Sequence, residues 1–309
     1  MSKDRPKNVA ASVRQKLLTL AHERKEDFQL ILIRYGMERL LHRLDESAHK
    51  NRFVLKGAML FQVWSGQSHR ATLDLDLHGT GESSVAGIVA VFKEVCLLAV
   101  ADDGLIFDAD SVAGEEIRED QEYKGVRIRI DARLGVAKIP VQVDIGFSDA
   151  ITPKPSRLQY PSLIGLPTPS IRVYPKETVV AEKYQAMVAL GIANSRMKDF
   201  FDIWVLARQA DFDGPVLANA ITATFKRRRT ALPVGKPLAL TDNFARDAAK
   251  QTQWRAFLRK GRLTIAADGL EAVIAVLDEF LMPPTTALVE GKEFNRRWPA
   301  NGPWQERRL

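Results

Sequence analysis

Cysteine is almost absent: the 309-residue chain carries one, Cys96. A single thiol excludes a disulfide framework and leaves no thiolate set for structural zinc. Long uncharged apolar runs are scarce too. The candidate that stands out, Gly87 to Ala101, is broken by Lys93 and Glu94, and a bilayer span needs ~18 residues. The opening Met-Ser-Lys-Asp-Arg-Pro has no apolar stretch of the secretory kind, and lipidation signals are missing. The expectation is a cytoplasmic protein with no membrane partner. No internal repeat and no low-complexity tract interrupts the chain, and 46% hydrophobic residues against 27% charged exclude a disordered one. At ~150 residues per domain the length suggests two lobes.

What is present in excess is positive charge. Lys and Arg number 45 against 38 Asp and Glu, a formal charge of +7, and a net positive field attracts phosphates from a distance. The charge is uneven. Lys226-Arg227-Arg228-Arg229 is a contiguous run, and the last segment carries Arg296, Arg297, Arg307 and Arg308 beside Trp298 and Trp304. Arginine beside aromatic rings suits single-stranded or looped RNA, where bases stack and phosphates pair. A solvated helix end and a basic tail would look the same.

Hydrophobic periodicity divides the chain. Residues 9–48 read as helix, with the charged stretch Glu23 to Asp27 as a turn or an exposed face between two apolar stripes. Phe53 to Ala58 is a short apolar run ending at glycine, and Ala58 to Trp64 looks helical. Thr72 to Leu77 alternates strictly and therefore predicts a strand. A helix over Ser84 to Ala99 and a turn-rich stretch follow. Val126 to Leu134 and Ile139 to Ile145 alternate again, with Gly135 in the turn of an antiparallel pair. Prolines 153, 155, 161, 167 and 169 mark an irregular connection between lobes. Helices are expected over Lys176 to Leu190, Met197 to Ala210, Gly214 to Arg229, Phe244 to Leu258 and Leu270 to Leu281. The divisions that follow are leading helices over 1–50, a mixed α/β core over 51–160, a helical lobe over 161–285 and a basic aromatic tail over 286–309. The fold class is α+β.

Alternation in the first strand puts Leu73, Leu75 and Leu77 on one face and Thr72, Asp74 and Asp76 on the other. Carboxylates two residues apart on one face stand ~7 Å apart at the backbone, and their side chains can converge on a cation. Two close negative charges repel, and a divalent ion held by oxygen ligands, such as Mg²⁺ or Mn²⁺, relieves that. A bare surface strand carries the same pattern. In the strand ending at Ile145, Asp144 points away from the apolar face with Gln142, so a third carboxylate joins the pair if the two strands are neighbours. Three such residues on adjacent strands form the usual cradle for phosphoryl and nucleotidyl transfer. Upstream, Gly57 and Ala58 offer small residues before a helix, suited to close approach of a phosphate.

Lys183 sits among Val179, Val180, Met187 and Leu190 on the inward stripe of its predicted helix. Such a lysine either snorkels to water or serves as a point charge for nucleotide phosphates. Asp199 and Asp202, three residues apart, share a helical face. Asp199 could pair with a basic residue or act at the site, positioning or deprotonating an attacking hydroxyl, and Asp202 could cap or brace.

Phe53 to Leu60 with Lys56-Gly57-Ala58, Arg70 to Leu77 with Asp74 and Asp76, Glu182-Lys183, and Arg196 to Asp202 together resemble the AbiEii/AbiGii nucleotidyltransferase-like toxins. The order and approximate spacing of all four segments match over roughly residues 50–210. The resemblance implies a polymerase-β-like nucleotidyltransferase core with a mostly helical second lobe. It also implies a nucleoside triphosphate substrate, a cognate antitoxin and a place in phage defence, and studied members add nucleotides to the 3′ acceptor end of tRNA. By position, Asp74 and Asp76 match the metal pair, Lys183 the lysine on the nucleotide phosphates, and Asp199 the acidic residue of the last motif. Thr72 stands at the hydroxyl position that some relatives modify to silence the toxin. Asp144 is a third metal ligand by fold analogy. Gly57-Ala58 departs from the usual Gly-Gly or Gly-Ser, which removes a hydroxyl and leaves the backbone amides. The reading is an Mg²⁺-dependent enzyme that transfers NMP to RNA, with the acceptor strand in a groove rimmed by Arg70, Arg196 and Lys198. The alternatives are a phosphotransferase or protein-modifying relative, and a silent RNA- or protein-binding module.

Overall fold

The computed structural model describes residues 8–66, 69–118, 124–147, 150–263, 265 and 268–307. The opening Met-Ser-Lys-Asp-Arg-Pro and Arg308 lie outside the described residues. Two compact units make up the chain, one of Met1–Ser148 with Ser156–Val173 and the other of Asp149–Pro155 with Tyr174–Leu309.

The first unit opens with helices α1 (Val9–Arg24) and α2 (Phe28–Glu46). Lys25 ends α1 in the left-handed region at φ 53°, and the Asp27 carboxylate caps α2 by accepting from the Leu30 amide at 3.2 Å. The charged stretch between the two apolar stripes is therefore a turn. Strand β1 (Phe53–Lys56), helix α3 (Leu60–Ser65), strand β2 (Asp74–Gly79) and helix α4 (Val85–Leu97) follow, with the Ser84 hydroxyl capping α4. Strands β3 (Leu105–Arg118), β4 (Lys124–Leu134), β5 (Ala137–Gly146), β6 (Ser156–Gln159) and β7 (Ser170–Val173) complete the unit.

All seven strands form one mixed sheet in the order β3-β4-β5-β2-β1-β7-β6. The β2–β5 and β1–β7 pairs are parallel and the others antiparallel. The alternating runs give this sheet one apolar face. Leu55, Leu75, Leu77, Val126, Ile128, Ile130, Val141, Val143 and Ile145 are all buried there, each worth ~1.5–3 kcal/mol on full burial. Helix α2 covers that face, and Gly36 lets it come close: a Cβ at Gly36 would meet Val141 Cγ2 at 3.0 Å. The opposite face is free to carry polar groups.

Four expectations change. The stretch after α4 is the long edge strand β3, whose register with β4 shifts between Asp108 and Ala113. That bulge breaks the period-two pattern that would have marked it. Leu73 is 56% exposed, because β2 begins only at Asp74. The proline-rich connection contains β6 and β7. Finally, α2 is buried all round from Ile31 to Leu44, charged residues included. Its arginines are compensated: Arg39 Nε and Arg43 donate to the Asp103 carboxylate at 3.1 and 2.7 Å, and the Tyr35 hydroxyl donates to the Asp103 carbonyl at 2.6 Å. Glu38, which Arg39 reaches at 3.4 Å, accepts from the Leu163 amide at 2.9 Å and from Ser162 at 3.1 Å.

The second unit contains α5 (Lys176–Leu190), α6 (Met197–Gln209), β8 (Phe212–Asp213), α7 (Gly214–Arg227), α8 (Asp242–Arg246), α9 (Ala248–Lys260), α10 (Leu270–Val289), β9 (Arg296–Trp298) and β10 (Gln305–Glu306). The single helix expected over Phe244 to Leu258 is two, because Asp247 starts α9 by accepting from the Lys250 amide at 3.0 Å. Helix α10 runs on through Pro283 and Pro284, and its 20 residues are long and apolar enough by composition to cross a membrane. It packs against α6, α7 and α8 with Leu270, Val273, Leu277, Phe280 and Leu281 buried, so it is a core helix of this unit.

The tail also departs from expectation. Trp298 is 1% exposed and donates to the Ala207 carbonyl at 2.7 Å, while Trp304 stacks on Phe280 with centroids 5.8 Å apart. Arg296 pairs with Glu306, Arg297 with Asp211 and Arg307 with Asp213. The rings that looked available to bases are occupied by the protein's own core.

Candidate active site

Parallel pairing of β2 and β5 sets Asp76 directly opposite Asp144 and Asp74 opposite Gln142. Residues directly opposite each other share a face, so all three carboxylates project from the polar side of the sheet. Oxygens of Asp74, Asp76 and Asp144 all lie within 4.8 Å of one another. The Thr72 hydroxyl donates to Asp74 Oδ1 at 2.6 Å and fixes that side chain.

The glycine of the first motif is part of the same feature. Gly57 holds φ at +74°, and a Cβ there would stand 2.6 Å from Asp76 Cγ. Asp76 thus fills the space beside Gly57. Ala58 is buried, 2% exposed, so its methyl belongs to the core and only its backbone could face a ligand.

Sequence reasoning missed Arg127. It lies opposite Asp144 across the β4–β5 pair. Its Nε and one terminal nitrogen donate to the two Asp144 oxygens at 2.8 and 2.7 Å. This fork-to-fork contact is the strong form of an ion pair. Hydrogen bonding to Asp144, with the nearby charges of Asp144, Glu115 and Asp74, pushes the guanidinium pKa up. Register extends the row: Glu115 faces Arg127 on one side, and Lys56 faces Asp76 on the other. Read across five strands, the row is Glu115, Arg127, Asp144, Asp76, Lys56. Two adjacent carboxylates are bracketed by one cation on each side. The signal was present in Val126 to Leu134, whose arginines occupy the polar positions, but only the register reveals which one meets Asp144.

In the second unit Lys183 projects from α5 between buried neighbours Val179, Val180 and Met187. Its ammonium donates to Asp199 Oδ1 at 2.6 Å and sits 3.0 Å from Asp202 Oδ2, both aspartates being on α6. Asp199 and Asp202 do share a helical face, and Asp202 braces the lysine rather than capping a helix. Side-chain exposures of 16%, 7% and 2% for Lys183, Asp199 and Asp202 make this a largely buried ionic cluster. The run Lys226 to Arg229 closes α7, where Arg228 donates to Gln185 at 3.0 Å while Lys226, Arg227 and Arg229 are exposed.

Three carboxylates with converging oxygens suit a hard divalent cation such as Mg²⁺ or Mn²⁺, which takes oxygen ligands. Nitrogen and sulfur ligands are absent from the cluster, which disfavours zinc.

No match was found among curated proteins. Two crystal structures are similar at a low level. JHP933 from Helicobacter pylori has 14% identity and a TM-score of 0.48, covering 84% of this chain and 94% of its own. A protein of the same organism described as a candidate nucleotidyltransferase has 14% identity and a TM-score of 0.49, covering 87% of this chain and all of its own. The family model for the nucleotidyl transferase AbiEii toxin of type IV toxin–antitoxin systems matches residues 39–277. That span includes β1 through α9, the three-carboxylate cluster and the Lys183 cluster, and it is well over half of the chain. The chain therefore belongs to the AbiEii nucleotidyltransferase toxin family.

Proposed function

We propose that this enzyme transfers NMP from a nucleoside triphosphate to an RNA hydroxyl, the 3′ acceptor end of tRNA, in the cytoplasm and under the control of a cognate antitoxin. The observation that carries the reading is the convergence of Asp74, Asp76 and Asp144 within 4.8 Å on the polar sheet face. Asp74 and Asp76 would hold Mg²⁺ or Mn²⁺, with Asp144 as the third ligand. Bound there, the cation supplies neutralisation of triphosphate charge and polarisation of the α-phosphate. The RNA hydroxyl oxygen bonds to the α-phosphorus, the α–β anhydride bond breaks, pyrophosphate leaves, and the hydroxyl proton passes to a carboxylate.

Lys183 keeps the role its motif implies, a point charge for nucleotide phosphates. Asp199 accepts from Lys183 at 2.6 Å, which favours a part in fixing that ammonium over direct contact with the attacking hydroxyl. The choice of RNA is supported by the charge of +7 and by the exposed cations that close α7, not by Trp298 and Trp304, whose rings pack against Phe280.

The test incubates the full chain with total tRNA, Mg²⁺ and each labelled NTP in turn, beside Asp74→Ala. Label on tRNA that vanishes with the variant supports the reading and names the nucleotide. Label on protein, or none under any condition, overturns it in favour of the protein-modifying or the binding-module alternative.

A further inference from the structure

Asp144 is held in a two-pronged contact by a cation of the protein itself. Both of its oxygens accept from Arg127, at 2.8 and 2.7 Å. The pair is shielded, with side-chain exposures of 29% for Arg127 and 12% for Asp144. A guanidinium in this fork occupies the carboxylate lone pairs that point along it. A divalent cation would have to compete for them. Register leaves Arg127 little freedom to lie elsewhere, because Glu115 stands opposite it on β3 and Arg129, two residues on, donates to Glu115 at 2.6 Å. Glu115 thus already serves Arg129, while both oxygens of Asp144 hold the Arg127 fork in place.

We propose that Arg127 is a latch on Asp144: it holds the third carboxylate in a protein ion pair, and a divalent cation gains that ligand only when the guanidinium lets go. Arg127 is a positioning residue acting through Asp144. The inference rests on the reading of the acidic cluster as a divalent-cation site. In the absence of nucleotide the cation then binds with little help from Asp144. An arriving triphosphate, an anion that pairs well with guanidinium, gives Arg127 an alternative partner and releases Asp144 to the metal. Metal and nucleotide affinities are linked by that exchange.

Mn²⁺ alone, titrated into the nucleotide-free full chain and followed by the spectrum of the free ion, tests this without turnover. Arg127→Gln should tighten Mn²⁺ binding about tenfold, the scale of one charge-assisted hydrogen bond given up. Arg127→Lys keeps the charge and loses the fork, and it should fall between the two. Asp144→Asn should change Mn²⁺ affinity by less than about threefold, and Arg127→Gln in that background should add almost nothing. An equal gain with and without Asp144 would mean that Arg127 acts only through its charge, and the latch falls. It falls also if Arg127→Gln leaves Mn²⁺ binding unchanged or weakens it in protein that melts at the wild-type temperature. Asp76→Asn separates the two levels. If it abolishes Mn²⁺ binding while Arg127→Gln does nothing, the metal site stands without the latch. If Asp76→Asn leaves Mn²⁺ binding intact, the cluster is not the metal site and the latch falls with it.

Discussion

Asp76 lies so close to Gly57 that the turn after β1 has room for no side chain. A Cβ on Gly57 would stand 2.6 Å from Cγ and 2.7 Å from Cβ of Asp76, and φ there is +74°. Rotating the carboxylate relieves the first contact and not the second, so alanine must move backbone. It must also adopt a left-handed conformation that L side chains avoid. Gly57→Ala should lose about 2 kcal/mol of stability and about a hundredfold in transfer rate, because it displaces Asp76. Urea midpoints beside initial rates check this. A variant with full activity would show that Asp76 need not stay where it is.

The buried arginines of α2 give a prediction with no catalytic content. Asp103 is 4% exposed and receives Arg39 Nε at 3.1 Å and Arg43 at 2.7 and 3.1 Å. Asp103→Ala leaves Arg43 in the core without a carboxylate and Arg39 with only its 3.4 Å contact to Glu38, and such a loss runs to about 3–5 kcal/mol. Asp103→Asn retains an acceptor oxygen and should lie between. Chemical denaturation of the three proteins settles the order.

Cys96 should be a silent thiol in the folded protein. It is 7% exposed, and burial pushes its pKa up to about 12 against a smaller opposing effect of Arg43. The thiolate is the reactive form, so almost none is present at pH 8. A disulfide reagent at that pH should label the unfolded chain fully and the native chain only at the rate of unfolding. Rapid native labelling would place Cys96 at the surface.

The acidic cluster was legible in the sequence because β2 and β5 alternate without a break, which fixes the face of Asp74, Asp76 and Asp144 before any pairing is known. Their nearness was not legible, since it depends on β2 and β5 being parallel neighbours although β3 and β4 intervene in sequence. Arg127 was hidden for a different reason: the β4–β5 hairpin was legible, but its register, which sets Arg127 opposite Asp144, depends on which residues form the turn. Strand β3 was hidden by its bulge, and the burial of the α2 charges was not legible because periodicity reports apolar positions and not the partners of polar ones. Trp298 and Trp304 misled in the opposite sense: an Arg-Trp segment has the composition of an RNA platform, yet Phe280 and Ala207 had already claimed the rings.

Lys183, Asp199 and Asp202 separate structure from chemistry in one set of variants. The ammonium sits 2.6 Å from Asp199 and 3.0 Å from Asp202. Lys183→Met strands two buried carboxylates and should destabilise the protein by about 3–5 kcal/mol. Asp202→Asn leaves Lys183 its shorter contact, and the loss should be about 1–2 kcal/mol. Removing all the charge together, with Lys183→Met, Asp199→Asn and Asp202→Asn in one chain, should recover most of the stability, because a neutral cluster has no uncompensated ion to bury. Transfer activity should not return with it. Melting curves and labelled-NTP assays on the same preparations read both quantities. Recovery of activity with stability would make the cluster a structural brace, and Lys183 would lose its assignment to the nucleotide.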